Sequence, residues 1–297
     1  HCTTAAHHAA AATIAHRSND GSTPPRFFPP SSAAPGEWQT TPSCPPAGGI
    51  LLHWQDVAPF GIKTSSQFRS TPPPALTSLR YARDFREVKA VGAAASTVRP
   101  ERLTTVARFY NASLAAAVWN SVARQLAVAK RTSLSYNARA FALLNMAISD
   151  GLVSSIETKY HYRLWRPETA IREGDIDSNP ATKPDETFVP LITAPCFPSY
   201  PSAHASGSYA GQRVIERLFG WVQRPLVLST PALPGVTLTY TDLASITEDI
   251  DNARIYGGIH FRFDQRAGRR QGRAVGDYVI EHHLRRIHGW HVRGEGR

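Results

Sequence analysis

The chain has 297 residues, 42% of them hydrophobic and 19% charged, which supplies one large core or two small ones and excludes a mostly disordered chain. No apolar run reaches the roughly 18 residues a membrane helix needs, and three widely spaced cysteines (Cys2, Cys44, Cys196) exclude a dense disulfide framework and a cysteine-based zinc site, leaving at most one bridge. Lys and Arg number 33 against 23 Asp and Glu, a net charge of +10 that suits anionic ligands, while the spread of the basic residues matches no nucleic-acid motif.

Residues 1–21 read as the end of an Ala-rich helix stopped at Asp20-Gly21, with no basic start and apolar stretch of a signal peptide. The chain opens on His1 and reads as a fragment without its true N-terminus. The sequence gives no compartment, and a secreted or periplasmic location is compatible with it. Residues 22–74 form a Pro-, Ser- and Thr-dense arm that excludes helix and central strand, with Phe27, Phe28 and Trp38 as anchors. A helical domain follows over 75–288. Its periodicity predicts helices over Leu76–Val91, Glu101–Val128, Ser133 to about Arg166, Ser202–Phe219, Asp242–Tyr256 and Gln265–Arg286. Glu168–Pro201 reads as a loop, and a short strand fits Val236–Tyr240. The basic run from Arg269 reads as a solvated face, with 289–297 a frayed tail. The predicted fold is an all-α helical bundle with long loops and a Pro-rich N-terminal arm.

Three segments carry chemistry. Lys159 and Arg166 lie seven apart, which on one helix places two cations on one face about 10 Å from each other, and Pro167 then ends the helix. Such a pair is costly to bury without an anion between. Phe197-Pro-Ser-Tyr-Pro-Ser202-Ala203-His204 opens a helix, so the Ser202 hydroxyl and the first free N–H groups face an anion site, with His204 placed for proton transfer. In Arg254-Ile-Tyr-Gly-Gly-Ile-His260, the Gly257-Gly258 pair predicts a break that re-aims His260 toward the site Arg254 faces, and Asp264 is placed to orient its imidazole. Singly, each has an ordinary explanation: a surface pair, a helix cap, a core histidine. In sequence order, they are far more specific.

The ordered set resembles the vanadium-dependent haloperoxidases and, more broadly, the acid phosphatases of the type-2 phosphatidic acid phosphatase superfamily. The stretches KYHYRLWRPETAIR, FPSYPSAHAS and ARIYGGIHFRFDQRAGRRQGRAVG are similar to bacterial haloperoxidases, and the likeness runs from about Pro35 to Val279. The resemblance implies a bundle of the haloperoxidase/acid phosphatase type. It implies a vanadate cofactor with His260 as the vanadium ligand. Lys159, Arg166 and Arg254 would then be the cations on its oxygens, Ser202 and the Ala203 N–H further donors, His204 the acid–base group, and Phe197 the halide-side aromatic. It also implies hydrogen peroxide and halide as substrates, with an organic acceptor as an optional third, and no nucleic acid. Two other readings use the same cage: a phosphomonoesterase acting through a phosphohistidine, and a non-catalytic oxyanion binder. Ala203 replaces the family's usual Gly, strained only if φ is positive there. Ala253 stands where a Ser is common and Ile156 where a Trp is common. The family's carboxylate partner of the acid–base histidine has no clear counterpart; the nearest upstream acid is Asp150, half a helical rotation from Lys159.

Overall fold

The computed structural model describes residues 2–30, 34–222 and 224–285. The tail expected at 289–297 lies outside the described residues, and the last helix, expected over Gln265–Arg286, starts three residues earlier and ends at His282, where His283 turns extended. The helices are α1 Cys2–His16, α2 Leu79–Gly92, α3 Glu101–Asn111, α4 Ala115–Lys130, α5 Leu134–Tyr162, α6 Pro167–Arg172, α7 Ala203–Phe219, α8 Leu243–Tyr256 and α9 Arg262–His282. Strands β1 Leu226–Ser229 and β2 Thr237–Tyr240 form a two-stranded antiparallel sheet. The fold is therefore the helical one expected. No helix among the described residues is long and apolar enough to cross a membrane.

At the centre, α7 packs between α5 and α9. Glycines set how close they come. A Cβ on Gly268 would lie 2.6 Å from the Ser202 carbonyl oxygen, and one on Gly272 2.2 Å from that of Ser206. Four residues apart, these glycines line one face of α9 and let the α7 main chain sit directly on it. The start of α7, with Ser202 to His204, is thereby drawn against the start of α9, with Asp264. The main core gathers Trp119, Val122, Leu126, Leu143, Leu144, Ile148, Val214, Ile246 and Val275. A second cluster, with Tyr81, Phe85, Trp165, Tyr200, Phe261 and Phe263, lies under the loops that follow α5.

The structure corrects several sequence-based boundaries. The helix expected over Glu101–Val128 is two, separated at 112–114. The helix expected to reach about Arg166 stops at Tyr162, where Arg163 turns left-handed at φ 48°. Its carbonyl accepts from Trp38 N–H at 2.6 Å, so the arm replaces the helical partner. Pro167 does not end α5; it opens α6, inside the expected loop, at the first-turn position where its missing N–H costs nothing. The first helix ends at His16 rather than at Asp20-Gly21. The segment 22–74 contains a 3₁₀ turn at Leu52–Asp56 and an isolated bridge between Phe28 and Gly49, and Trp38 is 1% exposed. Cys44 and Cys196 form one disulfide, their Cα atoms 5.3 Å apart.

Candidate active site

The end of α5 is polar yet buried, and Lys159 is fully enclosed. Its Nζ donates to the carbonyls of Pro198 at 2.8 Å and Ser199 at 2.7 Å. Arg166 is not on the same helix face as Lys159, contrary to the spacing argument; it is the N-cap of α6, beyond the turn at Arg163. The fold still brings the two together. Arg166 Nε donates to the Phe197 carbonyl at 2.8 Å, Nη1 donates to the Ile259 carbonyl at 2.8 Å, and Nη1 lies 3.1 Å from His260 Nε2. Both cations face the Phe197 ring, at 5.2 Å for Lys159 Nζ and 5.0 Å for the Arg166 guanidinium.

Helix α8 ends at Tyr256, so Arg254 sits in its last turn, buried. Gly258 follows with φ +78°, and a Cβ there would lie 2.4 Å from the Gly92 carbonyl oxygen. Only glycine fits this reversal. After it, His260 points back with Nε2 toward Arg166, while Nδ1 lies 2.7 Å from Asp264 Oδ2. Asp264 also accepts from the Ser199 hydroxyl at 2.6 Å and from Phe261 N–H at 3.1 Å. These bonds fix the ring: Nδ1–H donates to Asp264 and Nε2 keeps its lone pair. Burial, then Arg166, Lys159 and Arg254, hold the His260 imidazole well below its usual range, hence neutral. Burial pushes Asp264 up to about 6 against the pull of Ser199 and Lys159.

Ser202 caps α7, its oxygen accepting from Ala205 N–H at 3.3 Å and leaving its own proton to donate. Its N–H donates to the Asp264 carbonyl at 3.1 Å. Ala203 is the first residue of α7 and is not among the residues with positive φ, so its Cβ adds bulk without backbone strain. His204 is held well below the usual imidazole range by burial, then by Arg254, Lys159 and Arg166, with an opposing hydrogen bond to the Tyr110 main chain. That contribution favours the charged ring, as expected if the Tyr110 carbonyl faces a ring N–H. The carbonyl is free because α3 breaks two residues later. Phe197, Ala203 and His204 are the partly exposed members of the group, while the three cations are shut off from solvent.

Asp150, the upstream acid, is elsewhere in use: its carboxylate accepts from the N–H groups of Phe60, Gly61 and Ile62 at 2.6–2.9 Å. Among the described residues no carboxylate pairs with His204 or Arg254. Ser199, Ile259 and Tyr110 were missed by sequence reasoning. Ser199 lies inside the quoted FPSYPSAH motif, which was its one visible signal; the other two act through main-chain carbonyls and carry none.

The arrangement is a cage of fixed cations, a helix start and two neutral imidazoles. Three buried guanidinium nitrogens, Arg166 Nη2 and Arg254 Nε and Nη1, have no acceptor. Burial pulls Arg166 down to about 9 and Arg254 down to about 10 and drives Lys159 well below its usual range. Among the described residues no cluster of three or more His, Cys, Asp or Glu is placed to hold a metal cation; the donor set is built for an anion.

A search of curated proteins finds no significant sequence match. Among solved structures, the chain is similar to a bacterial vanadium-dependent iodoperoxidase at 27% identity and TM-score 0.71, covering 86% of this chain and 62% of that one. It thus spans less than two thirds of that relative's length. A bacterial vanadium-dependent chloroperoxidase in its holo form shares the fold at 16% identity and TM-score 0.68, over 90% of this chain and 69% of the other. The family described as the VCPO second helical-bundle domain matches residues 139–289, which hold every cage residue. By that match, over half of its length, the chain belongs to the vanadium-dependent haloperoxidase family.

Proposed function

We propose that the chain is a vanadate-dependent haloperoxidase that uses hydrogen peroxide to oxidise halide to hypohalous acid at the Lys159–Arg166–Arg254–His260 cage. The observation that carries this reading is the set of orphaned guanidinium donors on Arg166 and Arg254. A buried cation without a partner costs several kcal/mol, on the order of what a paired anion returns, so these residues fit a compact oxyanion. Lys159, Arg166 and Arg254, with the Ser202 hydroxyl and the Ala203 N–H, would hold its oxygens. His260 would ligate vanadium through Nε2, kept available by the Asp264 bond to Nδ1. When bound, vanadate supplies Lewis-acid activation of peroxide without changing its own oxidation state.

The protein's share is electrostatic and protonic. The three cations are fixed before substrate arrives, so they stabilise developing negative charge without reorganising. Phe197 shields the Lys159 and Arg166 side and leaves an apolar face for a polarisable halide. The composition agrees with an enzyme that releases an oxidant: the chain has one methionine and three cysteines, two of them bridged, hence few oxidisable sulfurs.

The test is vanadate titration followed by iodide and bromide oxidation. His260→Ala is expected to lose tight vanadate binding and all peroxidase activity. His204→Ala is expected to bind vanadate, more weakly, and turn over about 10²-fold slower, the scale of a lost acid–base group. Unchanged vanadate affinity in His260→Ala would sink the ligand assignment. Phosphate-ester hydrolysis without halide oxidation would replace the reading with a phosphomonoesterase, and oxyanion binding with neither activity with a non-catalytic relative.

A further inference from the structure

We propose that the Cys44–Cys196 disulfide positions the cation cage, and that its two-electron reduction lowers the affinity of the cage for oxyanions; this rests on the cage being an oxyanion site. The bond spans 152 residues of sequence and ties the N-terminal arm to the loop that leads into α7. Cys196 directly precedes the three residues on which the cations depend. Phe197 supplies the carbonyl that takes Arg166 Nε, and Pro198 and Ser199 supply those that take Lys159 Nζ. The Ser199 hydroxyl donates to Asp264, which holds His260. One short loop thus sets the position of two cations directly and of the second imidazole through one carboxylate.

The loop is unevenly secured. At its far end, Ser199 N–H donates to the Leu164 carbonyl at 2.9 Å, the Tyr200 hydroxyl donates to the Thr71 carbonyl at 2.6 Å, and α7 follows. At its near end, between Ile192 and Ser199, the main-chain bond that leaves the loop among the described residues is Ile50 N–H to the Cys196 carbonyl, 2.8 Å. Ile50 is itself in the arm, so between Ala194, which packs with Ala107 and Ile259, and Ser199 the main chain is tied to the rest of the molecule through the arm, the disulfide and the two cations it must position. The arm is well seated: Trp38 N–H donates to the Arg163 carbonyl at 2.6 Å and Trp165 N–H to the Gly36 carbonyl at 2.9 Å. Cutting the sulfur link leaves Phe197 and Pro198 with less to hold them, and their carbonyls then follow Arg166 and Lys159 as the like charges of the cage repel one another. Carbonyls that must each stay within hydrogen-bonding reach of a buried cation tolerate little of that.

Access favours reaction at one sulfur. Cys44 is partly exposed whereas Cys196 is buried. A thiolate from an external dithiol attacks Cys44 Sγ, Cys196 leaves as a thiolate and takes a proton, and the second thiol of the reagent then displaces Cys44 as a thiol. One protein S–S bond is exchanged for one in the reagent, with two electrons and two protons transferred to the chain.

The probe is inorganic phosphate, titrated calorimetrically into vanadate-free protein in four forms: oxidised parent, parent reduced with dithiothreitol, reduced parent reoxidised, and Cys44→Ala. Reduction is verified by a rise from one free thiol to three, and folding by near-ultraviolet circular dichroism. The reduced parent and Cys44→Ala are expected to bind phosphate at least tenfold more weakly. Reoxidation restores the parent and leaves Cys44→Ala unchanged, a reversal that a general loss of folding would not show. If Cys44→Ala does not fold, the reduced and reoxidised parent decide alone. Affinities within twofold of the oxidised parent in folded, reduced protein overturn the proposal. An oxidised parent that binds no phosphate overturns the oxyanion site as well, and is told apart because reduction then changes nothing measurable.

Discussion

The two halves of α5 are buried alike and made differently. In the first half, Ala140, Leu143, Leu144, Ala147 and Ile148 enter the apolar core beside Trp119 and Val122. In the second, Asp150, Ser154, Ser155, Glu157, Thr158 and Lys159 are equally hidden from water. The apolar half stabilises by removing area from solvent and asks only for matching shape. The polar half needs partners for its charged and hydrogen-bonding groups. Asp150 has three main-chain N–H groups, Ser154 and Thr158 have Gln271, Glu157 has Arg69, and Lys159 has two carbonyls. The buried guanidinium nitrogens left unpaired belong to Arg166 and Arg254, beside the end of that half. Burial alone therefore does not tell core from site, and neither do unmet neutral donors such as Ser155 Oγ or Trp119 Nε1; unmet cationic donors do.

The contrast predicts opposite responses to truncation. Arg254→Met removes a buried charge that the fold itself does not pair. Oxyanion affinity should fall on the order of 10³-fold, the scale of a lost buried charge contact, while the anion-free protein melts no lower than the parent. Phosphate titration and thermal melts check both halves; a lower melting temperature would show that Arg254 is structural. Leu144→Ala should do the reverse, costing about 3 kcal/mol in urea unfolding through the cavity it leaves, with phosphate affinity unchanged.

A smaller effect sharpens the boundary between the two regions. Tyr110 OH donates to Tyr240 OH at 2.9 Å, Tyr240 OH donates to Asp249 at 2.8 Å, and Arg102 Nη2 donates to the same oxygen of Asp249 at 2.6 Å. The chain joins the end of α3, whose Tyr110 carbonyl takes His204, to α8, which carries Arg254. Tyr240→Phe leaves a buried hydroxyl and a carboxylate short of a bond, worth about 2 kcal/mol of stability. If the link also registers His204, halide-oxidation kcat should drop several-fold with little change in KM. Loss of stability at unchanged kcat would confine the link to the fold.

The smallest effect is pH-dependent. Burial pushes the Asp251 carboxyl up from 3.8 to about 7, against Tyr209, Arg262 and Arg269. The folded value lies above the unfolded one, so the fold favours the protonated acid. That contribution is full below about pH 3.8 and is lost as pH rises through about 7. Asp251→Asn resembles the protonated form and should stabilise the chain at pH 8 by about 1 kcal/mol, less than the full shift implies because the side chain is partly exposed, with little difference at pH 4. Equal melting shifts at both pH values would show that the carboxyl is not perturbed in this way.

Much of this was legible in the residues because it is local. The helices of the bundle follow from apolar spacing; the reversal at Gly257-Gly258 follows from glycine, and the reach of Asp264 to His260 from a four-residue step. The three segments marked the cage residues by type and order. Other features depend on distant chain. Nothing in Ala112-Ser113-Leu114, without Gly or Pro, announces the break that frees the Tyr110 carbonyl. Arg163 turns left-handed at about 1 kcal/mol of local cost, met by Trp38 N–H from far upstream. That turn took Arg166 off the helix face that spacing assigned it, and a different element returned it to Lys159. The pairing of Cys44 with Cys196 depends likewise on the arm's path. Sequence fixes what a residue prefers within a few turns of itself. Where preference costs little, the packing of distant segments decides, because one buried hydrogen bond, about 1 kcal/mol, is enough to reverse it.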